Sequence, residues 1–140
     1  MEGSRRHLEG MTRTALNHMS NVTSQRVWKA NEELVAGWTF LAVLDSRTTL
    51  RCASLDGEVF PVGKGPIPPL HINCRSVSVP KVKTWRELGV NMDEVPTGTR
   101  ASVGGQVRAD MSYSEWLRSQ PVIVQDEVLG VTRAKLFRAG

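Results

Sequence analysis

Four of the seven prolines in this 140-residue chain fall within ten residues, PVGKGPIPPL (Pro61–Leu70), together with two glycines. No helix passes through such a stretch, because each proline lacks an N–H and clashes with the preceding turn. The middle of the chain is therefore an irregular loop with regular structure before and after it. The loop runs straight into His71, Cys74 and Arg75, in PPLHINCR. The one other cysteine, Cys52, lies 22 residues upstream of Cys74 in LDSRTTLRCASLDG.

Before the loop, residues 1–10 are polar, carry Gly3 and Gly10, and are expected to be flexible. From Met11 to Asn31 there is no glycine or proline. Leu16, Met19, Thr23, Val27 and Ala30 recur at three- and four-residue steps, which predicts an amphipathic helix capped by Thr12 or Thr14. WTFLAVLD is a continuous apolar run of strand length and reads as a buried strand. SRTTLRCASLDG reads as a short helix capped by Ser46 or Thr48, with Leu50 and Leu55 inward and Gly57 as its stop. A carboxylate at Asp45 can cap that helix and pair with an arginine. EVF predicts a brief strand.

After the loop, SVSVP alternates with period two and predicts an edge strand closed by Pro80. Residues 81–110 show the least periodicity, and VPTGTRASVGGQ reads as an exposed loop or arm. In SYSEWLRSQ, Ser112 and Glu115 have capping-box spacing. Pro121 fits the first turn of a further helix, PVIVQDEVLG, and VTRAKLF predicts a last one, so residues 111–140 form a helical segment. The expected fold class is α+β: one domain, a small short-stranded sheet with surrounding helices.

Eighteen basic against fourteen acidic residues leave a net charge of +4, which allows a polyanionic partner without requiring one. No apolar run is long enough to span a membrane, and MEGSRRHLEG has no apolar core for a secretory signal. Two cysteines without export favour thiols or metal ligands over a disulfide.

Cys52, His71 and Cys74 are ligands of the kind zinc prefers, and Asp45 or Asp56 offers a fourth. A Cys52–Cys74 disulfide and a packed turn of buried thiols pinned by His71 are the competing readings. Cysteine–histidine catalysis is a further candidate, but no nucleophile elbow, phosphate loop or H-E-x-x-H helix accompanies it. Arg75, Lys81, Lys83 and Arg86 form an acid-free basic run with Trp85 interleaved. It suits a solvated sheet edge first, and sequence-independent contact with DNA phosphates as the alternative.

The span Gly37 to Pro80 is distinctive as a whole: a tryptophan-bearing strand, D-x-R-T, a cysteine, a D-G turn and P-P-x-H-x-N-C-R. It resembles the signature of the phage Mu F-like head morphogenesis proteins, minor head proteins of tailed bacteriophages. W-L-x-x-Q and L-G-x-x-R-x-x-L-F near the end are similar to the segment that often follows in that family. The resemblance implies a module over residues 11–140 acting in head assembly, in the virion and in the host cytoplasm during assembly. Its implied partners are portal or capsid protein, with DNA contacted in packaging or delivery, and no membrane. It implies no established catalytic mechanism. The signature positions it carries over are Asp45, Arg47, Thr48, Cys52, Asp56, Gly57, His71, Cys74 and Arg75. Relatives often carry a large region ahead of the module. Thr49 stands where a cysteine is common in them, which removes one metal ligand.

Overall fold

The computed structural model describes residues 2–96 and 98–140. Among them are five helices and two small antiparallel sheets, an α+β fold. The expected class holds, with two sheets in place of one. The chain divides into two compact units, each made of two separate stretches: residues 1–41 with 58–96, and 42–57 with 97–140.

In the first unit, α1 (Glu2–Lys29) leads into β1 (Val35–Leu41), and β2 (Val59–Phe60) and β3 (Val77–Val82) complete a sheet ordered β2-β1-β3. Trp38 pairs with Phe60 on one side of β1 and with Pro80 on the other. Trp38 and Phe40 are fully buried, and the Trp38 and Phe60 rings lie 5.1 Å apart. The Trp38 indole N–H donates to the carbonyls of Pro61 and Lys64 at 3.1 and 3.0 Å, which anchors the start of the proline-rich loop to the sheet.

The helix begins at Glu2, nine residues before the expected start, so residues 2–10 are helical. Arg5 pairs with Glu9 at the i,i+4 step. Gly10 is there for close approach, since a Cβ would lie 3.0 Å from the Asn73 side chain. The helix also turns the opposite way from expectation. Leu16, Met19, Thr23, Val27 and Ala30 are exposed, while Asn21, Gln25 and Trp28 are buried. The inward face is polar because it meets backbone. Asn17 donates to the carbonyls of Cys74 and Ser76 at 2.7 and 3.2 Å, and the Asn21 carbonyl oxygen accepts from the Ser78 N–H at 2.8 Å. These two asparagines occupy the outer edge of β3 in place of a strand. By strand alternation the next outward backbone position is Pro80, which has no N–H to offer. The edge is sealed.

In the second unit, α2 is a single turn (Leu50–Ala53) capped by Thr49, whose hydroxyl accepts from the Cys52 N–H at 3.4 Å. Neither Ser46 nor Thr48 serves as the cap. Leu50 is exposed, and Cys52 is the buried side chain of the turn. Gly57 takes φ +84°, the left-handed conformation that lets the chain leave the turn.

The expected exposed arm contains a hairpin instead, β4 (Thr99–Ser102) with β5 (Gly105–Arg108). Its strands are four residues long, and its inward positions are Arg100, Ser102 and Val107, so it carries no apolar alternation to read. A two-stranded ribbon is marginal alone. This one is held by a bridge from Leu44 to Ser102 and by Arg100.

Three helices follow: α3 (Tyr113–Ser119), α4 (Val122–Leu129) and α5 (Val131–Ala139). The Ser112–Glu115 capping box starts α3 as expected, and Pro121 stands at the N-cap of α4. Leu44, Tyr113, Trp116 and Leu117 form the core, with Val107, Val128 and Phe137 packed against it.

Candidate functional site

The D-x-R-T turn carries hydrogen bonds between its own residues. The Asp45 carboxylate accepts from the Arg47 backbone N–H at 3.0 Å and from the Thr48 hydroxyl, whose oxygen lies 3.2 Å away. Thr48 also reaches the Val43 carbonyl at 2.6 Å. What holds Arg47 to Asp45 is thus its backbone, and the Arg47 side chain is exposed. The Tyr113 hydroxyl donates to the Asp45 carbonyl at 2.8 Å. Burial, and then the neighbouring Asp45 and Asp56 carboxylates, push that hydroxyl's pKa up to about 12.

Asp56 is the centre of the second unit. Its side chain is 0% exposed, and Arg100, at 11%, faces it with a two-pronged guanidinium. Arg100 Nη1 donates to Oδ2 at 3.1 Å and Nη2 to Oδ1 at 3.0 Å. The backbone N–H groups of Ala42 and Tyr113 each donate to the same carboxylate at 2.7 Å. Arg100 also donates to the carbonyls of Met111 and Ala42. One carboxylate therefore joins the chain after β1, the hairpin and the start of α3. Each of these four groups donates to it, as the acceptor chemistry of a carboxylate side chain requires. Arg100 and Tyr113 were absent from the sequence-derived set. Nothing local marks them, since Arg100 stands 44 residues from Asp56.

Cys52, His71 and Cys74 are a set of residues that could hold a metal ion. Both cysteines are buried, and no disulfide joins them. The His71–Cys74 turn is tight: the Cys74 N–H donates to the His71 carbonyl at 3.2 Å, and Asn73 takes φ +59°. The Asn73 N–H donates to the Thr14 hydroxyl at 3.0 Å. His71 Nδ1 lies 2.9 Å from the Ile72 carbonyl. With the proton on Nδ1, that contact leaves Nε2 as the ligand atom, the arrangement usual for a metal-bound imidazole. Neither Asp45 nor Asp56, the expected fourth ligands, belongs to the group among the described residues. The oxygens of Asp56 are taken by Arg100 and two backbone N–H groups.

The basic run is acid-free only along the chain. Lys83 donates to the Glu33 carbonyl at 2.9 Å, and Arg86 lies 3.7 Å from Asp93. The Trp85 backbone N–H donates to Glu94 at 2.7 Å. Glu87 accepts from the backbone N–H and hydroxyl of Thr84, and these bonds hold its pKa below the ordinary glutamate value. Arg75 and Lys81 are exposed. Carboxylates that are separate in sequence therefore stand among these cations. Among the described residues no helix is long and apolar enough to cross a membrane. No family model, no curated protein and no solved structure matches the chain.

Proposed function

We propose that this chain is a non-enzymatic minor head protein of a tailed bacteriophage, a compact module that associates with portal or capsid protein during head morphogenesis. The sequence pattern from Gly37 to Pro80 suggests the family. The observation that carries the non-enzymatic part is where the signature side chains are directed. Asp45, Thr48 and Asp56 bond to the chain's own backbone and to Arg100, which supports a framework role. On this reading Cys52, His71 and Cys74 hold a zinc ion whose contribution is structural: it fixes side chains that the small cores leave loosely specified. DNA contact through Arg75, Lys81, Lys83 and Arg86 is a secondary part of the proposal, weakened by the carboxylates beside Arg86 and Trp85.

The test is co-sedimentation. The tagged chain, produced with the portal and capsid proteins encoded alongside it, should travel with assembled heads on a density gradient. Heads that form normally while the chain stays at the top would refute the assignment.

One observation favours a second reading. Three protein ligands leave a tetrahedral ion one open position, the arrangement of catalytic zinc. A metal-dependent nuclease built on this group would degrade DNA and lose activity, but not its fold, on His71→Ala. Absence of turnover with zinc bound removes that alternative.

A further inference from the structure

Helix α1 has two faces with opposite chemistry. At about 100° per residue, Gly10, Thr14, Asn17, Asn21, Gln25 and Trp28 share one face, turned to β3 and the neighbouring loops. Leu8, Leu16, Met19 and Val27 fall on the opposite side, within about 100° of arc, with Thr12 and Thr23 between them, Glu9 and Arg26 at the two edges of that arc and Met11 at the shoulder. Leu8 is 60% exposed, Leu16 62%, Met19 65% and Val27 54%. The stripe runs for about 28 Å along the helix. A helix that buries its polar side and shows its apolar side is built for a second contact.

Charge indicates the partner. From Arg5 to Lys29 the helix carries five arginines and lysines and one acid, Glu9, which is already paired with Arg5. A second copy fits poorly in either direction. Parallel pairing sets each basic turn against itself, and antiparallel pairing about the stripe's centre sets Arg6 against Lys29, with Glu9 opposite Arg26 as the one favourable contact between two basic helices. A lipid surface fits poorly as well, because the stripe has no aromatic anchor and Trp28 is turned inward. We propose that the outward face of α1 docks an acidic amphipathic helix of another protein, its apolar seam against Leu8, Leu16, Met19 and Val27 and its carboxylates against the flanking cations. This inference stands apart from the head-protein reading and does not depend on it.

The test uses the full chain and two labelled synthetic helices of about 25 residues, long enough to hold a helix. Both carry leucines at heptad seam positions. One has glutamates flanking the seam, the other lysines. Fluorescence anisotropy should show binding of the acidic helix alone, weakening as salt rises. The variant Leu16→Ser/Met19→Ser should bind about tenfold more weakly or worse. Because these side chains are exposed, its melting curve should match the parent's. Val27→Ser provides the same comparison if the double variant melts early. Equal binding of the two peptides, or binding of neither, overturns the proposal. So does self-association in sedimentation that the variant abolishes, which would make the occupant a second copy. Capture by phosphatidylglycerol vesicles that the variant loses would assign the face to membrane.

Discussion

Replacing Asp56 by asparagine alters one atom's chemistry at the most connected point of the second unit. The four groups that meet its oxygens are two guanidinium nitrogens of Arg100 and the N–H groups of Ala42 and Tyr113. An asparagine must turn its NH2 toward one pair of these donors whichever way the amide is flipped. That leaves a buried cation without a counter-charge and at least one backbone N–H without an acceptor. Breaking a buried pair from one side costs about 3–5 kcal/mol. Set against a total stability of about 5–15 kcal/mol, that is a large fraction. At this chain length a loss of about 3 kcal/mol lowers Tm by roughly 10 °C. Urea denaturation followed by tryptophan fluorescence measures the loss directly. The partner substitution sharpens the test. In Asp56→Asn/Arg100→Met the cation is gone and the amide NH2 can reach the Ala42 carbonyl that Arg100 vacates. The double variant should therefore be less destabilised than the sum of the singles by about 1 kcal/mol or more. An Asp56→Asn chain within about 0.5 kcal/mol of the parent, the range of an ordinary surface change, would refute the reasoning. So would strict additivity in the double variant.

Three further outcomes follow from other parts of the molecule. Tyr113 is the only tyrosine, so absorbance at alkaline pH reports it alone. Its midpoint should lie near 12 in the folded chain. Because folding raises this pKa, its contribution is intact below pH 10 and is lost between pH 10 and 12. Tyr113→Phe should remove that part of the stability–pH curve. Asn21→Ala leaves the Ser78 N–H at the edge of β3 without its acceptor and should cost about 1–3 kcal/mol, with faster thioflavin-positive aggregation on heating. Purified protein should carry about one zinc per chain by elemental analysis, and chelation or Cys74→Ser should lower Tm. A metal-free preparation with the same melting curve would leave the thiols as packing groups.

Local chemistry was legible wherever a residue acts on its near neighbours. The capping box at Ser112 and Glu115 and the strand carrying Trp38 declare themselves within a few positions, whereas the short helix stops at Ala53 with Ser54 as its cap, before the expected Gly57. Cys52, His71 and Cys74 were also readable as candidate ligands, because the chain has only two cysteines and three histidines. What could not be read depends on partners distant in sequence. Arg100 sits in a stretch of glycine, threonine and serine, and only the carboxylate of Asp56 gives its hairpin a reason to form. The three-to-four periodicity of α1 was real, but periodicity cannot say which face turns inward. Asn17 and Asn21 decided it, by satisfying backbone at the edge of β3, and backbone groups leave no trace in composition.

Each compact unit is assembled from two stretches that the other unit's chain interrupts. That arrangement sets the order of events during synthesis. The first sheet cannot close when Leu41 emerges from the ribosome, because β2 and β3 are still to come. The stretch 42–57 waits longer, with Asp56 unpaired until Arg100 and Tyr113 have been made. Neither unit can be cut out at a single boundary. Loss of the last forty-odd residues strips the partners from a segment that the surviving chain still contains. Folding is thus a late, collective step with many contacts between residues distant in sequence, and slow relative to helical bundles of the same size. Until the partners of a strand have been made, its apolar side chains stay exposed, the condition under which partly folded chains aggregate.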